Sequence, residues 1–131
     1  MGADENVATV QRIYEAFNKG DIDTLIEIFD ESVAWHLPGR SSMAKDYQGR
    51  DATLAFFGQL GQESGGPFRP EPQQFVGADD GRVIVIQRSI GERNGKQLDA
   101  GVCLVFQLQD GRVTDVREHY EDLYAYDEFW S

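Results

Sequence analysis

At 131 residues, with 40% apolar and 11% aromatic side chains, the chain has the length and composition of one packed domain spanning 1–131. No run approaches the roughly 20 apolar residues of a membrane span, so no membrane partner is expected. A formal net charge of −11, from 23 acidic against 12 basic residues with no Lys/Arg cluster, offers no phosphate-neutralising surface and argues against nucleic acid. The opening "MGADENVATV" has neither the basic flank nor the apolar centre of a secretory signal, which predicts a cytoplasmic location. The lone cysteine, Cys103 in "GVCLVF", rules out a disulfide within the chain and reads as a buried, inert thiol.

Between Asp4 and Phe17, the apolar residues Val7, Val10, Tyr14 and Phe17 recur at helical spacing, and Gly20 stands at the usual stop position. Asp21 suits the cap of a second helix that buries Ile22, Leu25, Ile26 and Phe29. "SVAWHLPG" begins as an extended run and ends in Pro38-Gly39, a turn signal that a strand interior does not tolerate. In that strand Val33, Trp35 and Leu37 point one way, Ala34 and His36 the other. "GRDATLAFFGQLGQ" predicts a third helix with Leu54, Phe57 and Leu60 inward, ended by the Gly/Pro-rich "ESGGPFRPEP". Three hairpin dipeptides follow, Asp80-Gly81, Asn94-Gly95 and Asp110-Gly111, and they separate four antiparallel strands at roughly 71–78, 82–92, 96–109 and 112–122. Helices first and a long-stranded sheet second make an α+β fold with helices on one sheet face.

Parity assigns the faces. Ile84, Ile86 and Ile90 share one side of their strand, Val102, Leu104, Phe106 and Leu108 of the next, and Val116 and Tyr120 of the last; together they predict the helix-covered face. Arg88 and Glu118 have the same parity and point into that interior, with Asp122 at the strand end. Unpaired ions in an apolar core cost several kcal/mol, so either a solvated cavity or an Arg88–Glu118 ion pair is expected. The opposite face, with Val83, Val85, Cys103, Val105 and Val113 among Gln87, Gln107 and Arg117, is too apolar for solvent and predicts a homodimer.

With three helices, then Trp-His-x-Pro-Gly, then a four-stranded meander ending "REHYEDLYAYDEFW", the chain from Asn6 to Trp130 resembles the nuclear transport factor 2-like superfamily. It is most similar to the SnoaL-like and ketosteroid isomerase-related members. The resemblance implies a cone-shaped α+β barrel, with three N-terminal helices packed on a curved, mostly antiparallel sheet around a deep pocket, and a dimer. A similarity to limonene epoxide hydrolases implies that Ala34 and His36 face the pocket. It also implies that Arg88 and Glu118 match those enzymes' central arginine and one of two flanking aspartates. Ser89 and Ile90 stand near the place of the other, which leaves the acid-arginine-acid triad incomplete.

The pocket so implied holds His36, Arg88, Glu118 and Asp122, walled by Tyr14, Phe17, Trp35, Tyr47, Phe56, Tyr120 and Trp130. Such a set suits proton abstraction next to a carbonyl, with a carboxylate or imidazole taking the proton and Arg88 or a tyrosine hydroxyl stabilising the enolate oxygen. This chemistry needs no cofactor, and the histidines His36 and His119, of opposite parity, show no metal-ligand spacing. His119 reads as a surface residue, and His36 has a second reading as a hydrogen-bond partner of a loop carbonyl. The expected function is a cofactor-free isomerase, cyclase or lyase acting on a small hydrophobic or polyketide-like molecule. A non-catalytic ligand-binding protein using the same pocket and an epoxide hydrolase-like activity are the alternatives.

Overall fold

The computed structural model describes residues 2–64 and 68–131. Helix α1 (Ala3–Lys19) buries Val10, Ile13, Tyr14 and Ala16, and Gly20 closes it in the left-handed conformation expected of a stop residue. The Asp21 carboxylate caps α2 (Ile22–Ile28) by accepting from the Thr24 N–H at 3.2 Å. The buried face of α2 is Leu25 and Ile28, while Ile22 and Ile26 are exposed, because Phe29 leaves the helix and opens strand β1 (Phe29–Leu37). After the Pro38-Gly39 turn a short strand β2 (Lys45–Gln48) folds back on β1, an element with no strong sequence signal. Helix α3 (Arg50–Glu63) follows; Gly65 to Pro67 of the expected stop segment lie outside the described residues.

Strands β3 (Arg69–Gly77), β4 (Arg82–Arg93), β5 (Lys96–Gln109) and β6 (Arg112–Tyr120) form the expected meander, and helix α4 (Leu123–Trp130) ends the chain's fold. Asn94-Gly95 and Asp110-Gly111 both take positive φ, the backbone that a tight hairpin requires. The sheet order is β2-β1-β6-β5-β4-β3. All pairings are antiparallel except that of β1 with β6, so the N-terminal strand lies parallel to the last one. The result is an α+β fold in which α1 packs on β3 and β4, α3 on β1, and α4 on β5.

Two face assignments need correction. On β5 the inner residues are Val102, Leu104, Phe106 and Leu108, as expected, and Glu118 and Val116 on β6 share that side. On β4, however, the buried set is Val83, Val85, Gln87 and Ser89, and Ile84, Ile86, Arg88 and Ile90 face outward. On β6 a register shift opposite Gln107 and Leu108 places Val113 inside together with Val116. Cys103 lies on the outer face and is exposed rather than buried.

The loop after β1 is latched to α4. The Asp127 carboxylate accepts from the backbone N–H groups of Arg40 at 3.1 Å and Ser41 at 3.2 Å, satisfying donors of the turn that Pro38-Gly39 begins. Gly39 sits at φ 113°, and a Cβ there would collide with that carboxylate. Gly39→Ala is therefore expected to lower stability by about 1–3 kcal/mol in urea unfolding. An unchanged midpoint would show that the latch contributes nothing to the fold.

Candidate active site

Between α1, α3 and the inner sheet face lies a narrow cavity of about 50 Å³. Aromatic and aliphatic side chains make most of its wall. Phe17 comes from α1, Phe56, Phe57 and Leu60 from α3, Trp35 from β1, Leu104 and Phe106 from β5, and Tyr126 from α4. The helical spacing of α1 and α3 turns these residues toward the sheet, where the rings meet edge to face. Trp35 and Phe57 stand 5.1 Å apart at 86°, and Phe17 and Phe57 5.5 Å apart at 85°.

Into this apolar space projects one carboxyl group. Glu118 is 6% exposed, and its Oε2 accepts from the Trp35 indole N–H at 2.6 Å while its Oε1 accepts from the Tyr120 hydroxyl at 2.8 Å. Burial drives its pKa up from the ordinary 4.5 to about 7, against the pull of the Trp35 and Tyr120 hydrogen bonds, which favour the ionised form. Tyr120 in turn stacks on Tyr126 with ring centres 3.8 Å apart, so α4 fixes the phenol that holds the acid.

A second polar group lies on β4. The Tyr14 hydroxyl donates to Gln87 Oε1 at 2.5 Å, and Gln87 Nε2 donates to Ser89 Oγ at 3.1 Å. Burial and the nearby Glu118 raise the pKa of Tyr14, which keeps its phenol protonated as the donor of this pair. Ser89 also reaches the Tyr120 hydroxyl, so the two polar groups adjoin each other. Sequence parity placed Gln87 on the outer face, and neither Gln87 nor Ser89 was legible there as a cavity residue.

Of the residues expected to act chemically, the cavity contains Glu118 alone. His36 points to the outer face, because burying Val33, Trp35 and Leu37 turns the alternate residues of β1 outward. There its Nδ1 meets Asp46 of β2 at 2.7 Å and its Nε2 meets Asp115 of β6 at 2.8 Å. Partial burial pulls the imidazole pKa down, the hydrogen bonds to Asp46 and Asp115 push it up, and the net shift is upward. A neutral ring has one N–H for two carboxylates, so the imidazolium is the form that satisfies both. Arg88 is also outside, with its Nε 2.5 Å from Asp99 Oδ1 on β5, so the acid-arginine arrangement implied by epoxide hydrolases is not formed. Asp122 is exposed and caps α4, accepting from the Ala125 N–H at 3.1 Å.

Among the expected wall residues, Tyr14, Phe17, Trp35 and Phe56 line the cavity. Tyr47 stands behind Phe56, stacked on it at 4.3 Å and donating to the Met43 carbonyl. Tyr120 acts through Glu118, and Trp130 is buried beside Phe129 and Phe68 without lining the cavity. Among the described residues no group of three or more His, Cys, Asp and Glu side chains is placed to hold a metal.

A curved sheet cupped by helices is the nuclear transport factor 2-like fold. The chain belongs to the SnoaL-like domain family, which matches residues 10–116. Bal32a, a structure from a soil-derived mobile gene cassette, is 53% identical with a TM-score of 0.95, covering 98% of each chain. An NTF2-like protein of Burkholderia xenovorans LB400 shares the fold at 22% identity and a TM-score of 0.88, covering 100% of this chain and 99% of its own. The uncharacterized protein Rv0034 of Mycobacterium tuberculosis H37Rv is 29% identical over 131 residues, 100% of both chains.

The raised pKa of Glu118 fixes a sign for stability. Between pH 4.5 and about 7 the unfolded chain releases a proton that the folded protein retains, so this residue makes stability fall as pH rises through that window. Glu118→Gln, of equal size and uncharged, is expected to stabilise the protein at pH 8 by about 1 to 3 kcal/mol and to change little at pH 4. Thermal unfolding at both pH values measures this; an equal effect at the two would refute the buried-acid account.

Proposed function

We propose that the protein is a cofactor-free acid/base enzyme in which Glu118 moves a proton on a small hydrophobic carbonyl compound. The observation that carries this is a single carboxyl in an aromatic cavity with a pKa of about 7. A carboxylate that basic is half ionised at neutral pH, where a general base works best. It takes the proton from the carbon next to the carbonyl, and the C–H bonding pair moves into the enolate. The neutral acid so formed is the state that its surroundings favour. Return of that proton to another carbon completes an isomerisation; attack of the enolate carbon on a second carbonyl in the same molecule, with the proton passing from Glu118 to the alkoxide so formed, completes a cyclisation. Trp35 and Tyr120 hold the carboxyl in place through both steps.

β-Tetralone, a flat ketone with acidic C–H groups, tests this in D₂O by proton NMR. The protein should accelerate loss of the C–H signal, with a rate rising through pH 7, and Glu118→Gln should slow it at least ~100-fold. Exchange no faster than in buffer, with β-tetralone nevertheless bound, would favour a ligand-binding protein without catalysis.

The assembly we propose is a homodimer through the outer sheet face. Val76 and Ile86 there are 41% and 39% exposed, and Ile84, Val105 and Cys103 adjoin them across β3, β4 and β5. Light scattering at micromolar concentration should give twice the chain mass, and Ile86→Arg should halve it; a monomeric wild type would overturn the assignment.

A further inference from the structure

The inner face of β4 carries an amide where an aliphatic residue would pack more cheaply. Val83 and Val85 precede Gln87 on that face, yet Gln87 is 4% exposed and Ser89 1% exposed, both in the cavity wall. Burying such groups is unfavourable unless every donor and acceptor is matched. A side-chain amide has two N–H donors. One reaches Ser89 Oγ, the carbonyl oxygen is held by the Tyr14 hydroxyl, and among the described residues no second acceptor meets the other N–H. The amide is thus fixed at both ends by hydroxyls from α1 and β4, with a donor left over in an apolar cavity.

The sheet register sets its distance from the acid. Gln87 pairs with Val102 of β5, and Val102 pairs with Tyr120 of β6, next to Glu118 on the inner face. Two strand spacings, roughly 10 Å, separate the two backbones, and side chains close that gap: Gln87 Nε2 donates to Ser89 Oγ, Ser89 reaches the Tyr120 hydroxyl, and that hydroxyl donates to Glu118. With Arg88 on the outer face, no guanidinium among the described residues lies in the cavity wall to receive an anion.

We propose that Gln87, clamped between Tyr14 and Ser89, is a ligand-binding residue whose spare amide N–H receives the oxygen of a flat, neutral, otherwise apolar carbonyl compound. The assignment rests on reading the cavity as a ligand site, and it names the group that selects the ligand. Tyr14 and Ser89 are positioning residues for the amide. The ligand oxygen lies at the amide of β4 and the carbon beside its carbonyl toward the carboxyl of β6, so recognition and proton transfer fall to different strands.

Titration with β-tetralone and with tetralin, the same bicycle without the carbonyl, tests this by protein NMR shifts. Gln87→Met, apolar and of similar length, should weaken β-tetralone at least tenfold and leave tetralin unchanged or tighter. An equal effect on both compounds, or none on β-tetralone, overturns the proposal. A measurement on the unaltered protein covers the case of a variant that does not fold. The carbonyl stretch of bound β-tetralone should lie below its frequency in hexane, and a hexane-like frequency overturns the proposal as well. Failure here differs visibly from failure of the acid/base reading. Ketone-selective binding without deuterium exchange removes catalysis and keeps Gln87, whereas exchange that survives Gln87→Met with undiminished ketone affinity removes Gln87 and keeps catalysis.

Discussion

The hydrogen bonds that Glu118 accepts from Trp35 and Tyr120 organise the interior of this protein. A carboxyl group away from water must be neutral, paired with a cation or surrounded by donors. Here the donors are an indole and a phenol, each large enough to serve also as cavity wall or wall support. The indole is delivered by β1 and the phenol by β6, and the phenol is held by Tyr126 from α4. Three separate elements therefore converge on one acid, and the rings of α1 and α3 keep it dry.

The two faces of the sheet divide the charges. Outside, ionic contacts tie strands together: His36 joins β1 to Asp46 of β2 and Asp115 of β6, Arg88 meets Asp99 of β5, and within β6 Arg117 meets the same Asp115 at 3.2 Å. Such half-exposed pairs contribute little stability each, since water and salt screen them. Inside, the same strands hold one carboxyl and one amide among aromatic rings, where each hydrogen bond is felt in full. Alternation along β1 carries this division from residue to residue, with Trp35 in the cavity and His36 on the outer clasp.

The order of the first three helices, β1 and the four-stranded meander, the hairpin turns, the caps at Gly20 and Asp21 and the inward direction of Glu118 were legible in the sequence. The face of β4 was not, because both of its sides are apolar and its inner side is interrupted by Gln87 and Ser89; hydrophobicity alone chose the isoleucines. Hairpin arithmetic contained the answer. Counting outward from Asn94-Gly95 pairs Val85 with Leu104 and Gln87 with Val102, so the known inner face of β5 dictates that of β4. The same logic applies to His36, since a strand cannot bury Trp35 and its neighbour on one side. Strand β2 and helix α4 escaped notice because four residues with Lys45 and Asp46 carry no period, and an eight-residue aromatic run reads as readily as a tail. Asp122 stands three residues before Ala125, the position of a helix cap, and capping takes up the carboxylate that the sequence offers as a base.

The parallel pairing of β1 with β6 has a consequence for how the chain reaches this state. Trp35 and Glu118 are 83 residues apart in sequence, and closing a loop of that length costs about 4 kcal/mol of chain entropy before the contact returns anything. The β3–β6 meander can form from neighbouring hairpins, but the cavity exists only once β1 has docked along the far side of β6. The site is therefore completed by a contact of long reach. Until β1 docks, the edge of β6 and a carboxyl without its indole are open to water, so the cavity and the environment of its acid come into being with one long-range pairing.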